Sequence, residues 1–273
     1  MIDIITPKQQ EILMALARFK FLTTSQMVRL GIDKHSQNLN GNLVKLRERK
    51  RKLINHINFG MGKEYFYFLT QKGKQLLVDH LYLSPDEIKA PIGRTSFFST
   101  DYNHRKSCIS CIIEMMNSAS QEGFEIEFCD WYFEKTGNNR RDKNLQSKSR
   151  IELTNRYIEA DAIFMTSRAN EKFLYVFEYE RKRDSRYIYK KCRDYLEALT
   201  IGEPSIKYGF NKGCRVLYVF ETPAIMKAVI SRIQQDNDFR AFHKHFLFKH
   251  FKELESAFFS DWLSINNENM NAY

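Results

Sequence analysis

Four residues carry the chemistry this chain could perform: Asp161, Glu178, Glu180 and Lys191. Glu178 and Glu180 close the apolar run FLYVFEYERKR two residues apart, so on a strand both carboxylates point to one face. Asp161 stands seventeen residues before Glu178, in the strand-like YIEADAIFMT. If these runs pair as a hairpin around SRANE, Asp161 and Glu178 fall at the same end of neighbouring strands. Such a set can hold a hard divalent ion, Mg²⁺ or Mn²⁺, together with water and substrate phosphate. A bound ion of this kind orients a nucleophile and stabilises a leaving oxygen in phosphodiester cleavage. The same carboxylates can equally be a solvated strand end. A lysine would complete the apparatus by offsetting charge on the phosphorus. Lys182 is expected beyond the strand. Tyr187, Lys191 and Tyr195 recur every four residues on the following helix, so Lys191 can lean back over the strand end.

Other clusters promise less. Cys108 and Cys111 form a CxxC with no second pair and read as small apolar core residues of an amphipathic helix. The five cysteines are odd in number and scattered, unlike a disulfide framework. His243, His245 and His250 in HKHFLFKH lack the i, i+4 spacing of a helical metal clamp; the segment DFRAFHKHFLFKHFKELESAFFSDWL is expected to be an aromatic C-terminal helix. No Gly-rich phosphate loop occurs, so nucleoside-triphosphate chemistry has no visible anchor.

The elements that must position the site come next. With 273 residues, 43% of them hydrophobic, two domains with real cores are expected. No run reaches the roughly 18 to 20 apolar residues a membrane helix needs, and MIDIITPKQQ lacks the secretory pattern, so no membrane insertion and a cytoplasmic location are expected. The net charge of +10 is uneven: residues 1 to 90 hold 15 Lys and Arg against 8 Asp and Glu, which points to a polyanionic partner, nucleic acid first.

Residues 1–82 read as a winged helix-turn-helix DNA-binding domain. TPKQQEILMALARF opens with a capping Thr6 and Pro7; LTTSQMVRLGI is capped by Thr23 or Thr24 and ends at Gly31. The third helix, SQNLNGNLVKLRERKRK, is amide-rich at its start and basic at its end. LINHINF-GMG-KEYFYFLT signals a hairpin, and TQKGKQLLVDHL a closing helix. Gln37, Asn38, Asn40 and Asn42 can pair with base edges, while Lys45, Arg47, Arg49 and Lys63 hold phosphates. Basic helix ends also complement the helix dipole, and small three-helix domains also bind protein. A linker is expected over 83–100.

Residues 101–273 alternate helices and strands, which implies a mixed α/β sheet. Asp161, then Glu178-x-Glu180, then a helix bearing Lys191 resembles the PD-(D/E)xK nuclease core of restriction-endonuclease-like folds, with Ala160 in the place of its proline and Glu180 in the place of its lysine. The whole order, from TPKQQEILMALARFKFLTTSQMVRL through YFLTQKGKQLL to EADAIF, FLYVFEYERKR and KKCRDY, resembles the replication-relaxation family, which includes the MOB-C plasmid mobilisation relaxases, over roughly residues 6 to 222.

That resemblance implies a bacterial, metal-dependent enzyme that nicks one strand of double-stranded DNA at a plasmid transfer origin, with the winged helix choosing the site. It implies Asp161, Glu178 and Glu180 as ligands of Mg²⁺ or Mn²⁺ and Lys191 as the catalytic lysine. It also implies the nicked single strand, accessory mobilisation proteins and a coupling protein as partners. His104 is a candidate accessory at the site, or a surface histidine. Tyr187 and Tyr195 are candidates for attack on phosphate, for stacking in a groove, or for the core. The polar stretch 135–150, with six cations and one anion, is either a DNA-ordered or a solvated loop. The alternative from another class is a non-catalytic plasmid replication or transcription protein that binds DNA with a nuclease-like fold.

Overall fold

The computed structural model of the chain describes residues 5–48, 52–91, 101–136, 146–181, 184–255 and 257–273. It divides into two compact units, one up to Ile113 and one from Glu114. The division falls inside a helix; much of the linker expected over 83–100 lies outside the described residues.

The first unit begins with α1 (Pro7–Phe19), where Thr6 and Gln9 form a reciprocal capping box. Such a pair satisfies two orphan amides at once. Thr23 and Gln26 do the same for α2 (Thr24–Arg29), and Gly31 follows at φ 75°, a conformation costly to any residue with a Cβ. Next comes α3 (Ser36–Glu48); the expected continuation through 49–51, including Arg49, lies outside the described residues. Strands β1 (Ile54–Ile57) and β2 (Phe66–Leu69) pair antiparallel, with Ile54 opposite Leu69 and Ile57 opposite Phe66. The unit continues with α4 (Gln71–Leu81), capped by Thr70, and the start of α5 (Tyr102–Glu122). Leu13, Leu16, Leu39, Leu43, Leu46, Phe66 and Leu77 are fully buried; each such side chain contributes about 1.5–3 kcal/mol by leaving water.

In the second unit a seven-stranded mixed sheet runs in the order β13-β12-β11-β10-β9-β8-β3. Its strands are β3 (Glu125–Trp131), then, after the short β4 (Lys135–Thr136), β5 (Gln146–Ser147), β6 (Arg150–Glu152) and β7 (Tyr157–Glu159), the long β8 (Ala162–Arg168) and β9 (Glu171–Glu180). Helices α6 (Ser185–Ile201) and α7 (Glu203–Lys207) lead to β10 (Arg215–Phe220), and α8 (Pro223–Gln234) leads to β11 (Phe246–His250), β12 (Trp262–Ser264) and β13 (Asn269–Met270). The β9–β10 and β10–β11 pairs are parallel, so each needs a crossover, which α6 and α8 supply. One sheet face (Ile163, Val176, Tyr218 and Phe248) packs with Ile188, Cys192 and Tyr195 of α6 and Val229 and Ile233 of α8. On the other face Phe164 and Tyr175 meet Phe258 and Phe259, with ring centroids 6.2 and 6.4 Å apart.

The expected aromatic C-terminal helix is not formed. Residues 237–242 make a 3-10 turn, and FLFKH becomes the buried strand β11. The physical reason is coverage of both faces: Phe246 and Phe248 point to one side, Leu247 and Lys249 to the other, and all four are buried. A short apolar run of this kind has no period that separates strand from helix. Lys249 donates to the carbonyls of Ala257 and Ser260, pinning the following loop, and burial pushes its pKa down to about 8. All five cysteines are buried and none is in a disulfide. Among the described residues no helix is long and apolar enough to cross a membrane.

A glycine in α4 provides a test of the first unit. A Cβ built on Gly73 would lie 2.1 Å from the Leu53 carbonyl oxygen, a contact only backbone movement can relieve. Gly73→Ala is expected to destabilise the protein by about 1–3 kcal/mol, despite alanine's better helix propensity, as a lower midpoint in urea unfolding.

Candidate carboxylate and lysine site

The β8–β9 hairpin closes on a two-residue turn, Ala169 and Asn170, both at positive φ (50° and 67°). That is the turn hand that matches the twist of paired strands. Its register sets Arg168 opposite Glu171 and Ala162 opposite Phe177. Asp161, one residue before β8, therefore comes level with Glu178. The strand-like run is broken here: β7 ends at Glu159 and β8 begins at Ala162. Beyond the last β8 pair, the Asp161 Oδ2 accepts a hydrogen bond from the Tyr179 N–H at 2.7 Å, where a strand neighbour would otherwise have done so.

Period two puts Glu178 and Glu180 on the face that α6 covers. Asp184 caps that helix by accepting from the Arg186 N–H at 2.9 Å, and Gly202 ends it in the left-handed region. Lys191 and Tyr195, one turn apart, reach the strand together. The Lys191 ammonium donates to Glu178 Oε2 and, at 3.3 Å, to Glu180 Oε1; the Tyr195 hydroxyl donates to Glu178 Oε1. Glu178 is fully buried, and Asp161 and Glu180 are nearly so.

Three carboxylates thus face one cation out of water. Burial pushes the Glu178 pKa well above the usual range; Lys191 opposes this, and Asp161 and Glu180 reinforce it. Burial alone would lower Lys191, but Glu178, Glu180 and Asp161 outweigh it and hold the ammonium charged. Lys191 is the charged partner of the cluster, and the rise at Glu178 is chiefly the effect of its burial.

Among the described residues, Asp161, Glu178 and Glu180 do not bring three ligand oxygens within 4.8 Å of one another. Lys191 lies between the two glutamates, where a third shared ligand position would be. Mg²⁺ needs only one or two carboxylates alongside water and phosphate, so Asp161 and one glutamate are the residues that would hold such an ion.

The structure places the remaining predicted residues as follows. Tyr195 is fully buried and its pKa is pushed up by burial and by Glu178, which makes it a positioning partner of Glu178 rather than an exposed nucleophile. Its i, i+4 spacing to Lys191 was visible in sequence, but its partner was not. Tyr187, one turn earlier, is half exposed. Lys182 lies outside the described residues. In the first unit His104 Nε2 is 3.6 Å from Cys108 Sγ. Along α3, Gln37, Asn38, Asn40 and Lys45 are exposed opposite the buried Leu39, Leu43 and Leu46. The Asn38 amide donates to Asp33 and that of Asn42 to the Asn38 carbonyl; Arg47 and Lys63 are partly exposed.

The ion pair makes a direct prediction. Lys191→Met leaves Glu178 and Glu180 buried without their cation, and such losses cost about 3–5 kcal/mol; because Lys191 keeps 23% exposure, about 3 kcal/mol is expected. Combining Lys191→Met with Glu178→Gln should recover part of that loss in a denaturant double-mutant cycle.

Against known proteins, no curated protein and no solved structure matches the chain. The family model for replication-relaxation matches residues 13–212, more than half of the chain and including Asp161, Glu178, Glu180 and Lys191. That family points to a role in plasmid replication or mobilisation, and so in the handling of DNA. Because that match covers more than half of the chain, the chain belongs to the replication-relaxation family.

Proposed function

We propose that this protein is a plasmid mobilisation relaxase of the MOB-C type, which nicks one strand of DNA at a transfer origin with Mg²⁺ or Mn²⁺. The observation that carries the reading is the meeting of Lys191 from α6 with Glu178 and Glu180 of β9, level with Asp161. This supports a PD-(D/E)xK-like core whose lysine comes from the helix. Asp161 and Glu178, with Glu180 beside them, hold the ion, which supplies an activated nucleophile and charge stabilisation when bound. Tyr195 keeps Glu178 in one orientation, and the Tyr179 N–H does the same for Asp161. Lys191 sets a positive charge where phosphate charge develops. The first unit acts as a winged helix: α3 offers Gln37, Asn38, Asn40 and Asn42 to bases, and Lys45, Arg47 and Lys63 hold phosphates. His104 and Tyr187 are accessory candidates, and accessory mobilisation and coupling proteins are the expected partners.

A second reading, a non-catalytic DNA-binding protein, is favoured by one observation: both Glu178 oxygens already accept hydrogen bonds, as in a purely structural ion pair. The two readings separate on a supercoiled plasmid carrying the cognate origin. The relaxase reading expects open-circular product with Mg²⁺ or Mn²⁺ and none with chelator, and Asp161→Asn and Glu178→Gln each slowing nicking by about 100-fold or more. Unchanged nicking by both variants removes the assigned site. Binding without nicking supports the second reading, and linear product indicates a nuclease that cuts both strands.

The DNA contacts are tested separately. Lys45→Gln is expected to weaken duplex binding evenly across sequences and to reduce the salt slope of log K by about 0.9. Gln37→Ala should instead relax preference at one base position, by about 1–3 kcal/mol.

A further inference from the structure

We propose that the cleft between α3 and the β1–β2 hairpin is a receptor for an unpaired nucleobase, so that the first unit grips single-stranded as well as duplex DNA; this rests on the reading of that unit as DNA-binding. The cleft encloses about 630 Å³ and is lined by Asn40, Val44 and Arg47 from α3 and by Lys63, Tyr65 and Tyr67 from the hairpin. Strand alternation creates the aromatic wall. In the run YFYF, Phe66 turns into the core with 1% exposure, while Tyr65, on the opposite side, remains 40% exposed.

The Tyr65 ring is held before any ligand arrives. Its centroid is 4.6 Å from that of His56 and 6.5 Å from that of Tyr67, the latter edge-on. His56 in turn is tied to the helix wall, with Nδ1 3.4 Å from Arg47 Nη1. Burial and the Arg47 charge both lower the His56 pKa, so a neutral ring offers its lone pair to the guanidinium. A fixed, half-exposed ring of this kind is a stacking platform, and base stacking on an aromatic side chain tolerates any base.

The charges around the ring select a polyanion. Arg47 stands on one wall and Lys63 on the other, the Lys63 ammonium 5.3 Å over the Tyr102 ring. Two carboxylates stand nearby: the largely exposed Glu48 lies 3.6 Å from Arg47 Nη2, a solvent-screened pair that a phosphate can displace, and Glu64 is answered, accepting from the Ser25 N–H at 3.0 Å, from the Ser25 hydroxyl at 2.8 Å and from Lys106 at 2.5 Å. Asn40, exposed at the rim with its Oδ1 3.5 Å from the Thr24 hydroxyl, presents an amide that can pair with a base edge. A duplex backbone presents phosphate and sugar and has no use for an aromatic platform. An unpaired base with its flanking phosphates uses the ring, the amide and both cations.

The test measures binding of the full chain to one labelled oligonucleotide as single strand and as duplex, with chelator present to prevent cleavage. Tyr65→Ala is expected to weaken single-strand binding roughly 5- to 150-fold, the range for loss of one stacked base, and to leave duplex binding within about twofold. Tyr65→Phe, which keeps the ring, should bind like the parent. A 2-aminopurine in the single strand should be quenched by the parent and by Tyr65→Phe but not by Tyr65→Ala. Equal single-strand affinity for parent and Tyr65→Ala overturns the proposal, as does an equal loss on both DNA forms, which marks a structural role for the ring. Failure of the parent to bind either form overturns it together with the reading of the unit as DNA-binding.

Discussion

A single ammonium under α6 governs the second unit. The face of the sheet that α6 covers is otherwise apolar, and placing Glu178 and Glu180 on it would be prohibitive without a partner charge. Lys191 supplies that charge, and Tyr195 takes the other Glu178 oxygen. Apolar packing of α6 on the sheet and the strand period aim the carboxylates inward, and this pair is what makes that aim tolerable. Replacing the four groups with apolar residues of similar volume would in general cost little stability. That general expectation is what the proposed relaxase reading draws on.

A third acid beside the lysine is what separates this cluster from a simple buried ion pair. A matched pair would leave the lysine and one carboxylate both satisfied. Here a third acid, Asp161, is fixed level with Glu178 by the Tyr179 amide, and its charge falls on the same lysine. The hairpin register produces this coincidence: a one-residue slip would turn Glu178 and Glu180 to the opposite face. The tight Ala169–Asn170 turn guards that register.

The first unit solves a different problem. Its core is small, so its helix ends are tightly capped: two reciprocal capping boxes open α1 and α2, and Thr70 opens α4. With the leucine stripe of α3 buried, the amides and cations are left outward. The hairpin then adds a second surface, where Tyr65 is braced by His56 and His56 by Arg47.

Much of this was legible in the sequence because it is local. Capping threonines, Pro7, Gly31, the YFYF alternation, the hairpin around SRANE and the i, i+4 spacing of Lys191 and Tyr195 are set by neighbours within a few residues, and the structure forms each. Glu178 and Glu180 could be paired from strand period alone, while Asp161 needed the assumed hairpin as well. What sequence could not reveal depended on distant partners. HFLFKH looked like part of an aromatic helix and became β11, because only β10 and the two layers around it make a continuous apolar run into a strand. The role of Tyr195 emerged only when α6 lay over Glu178. The chain by itself determined which residues could bear charge and on which face of each element; the tertiary structure decided which charges meet, because pairing across the sheet and exclusion of water are properties of the packed unit and of no single segment.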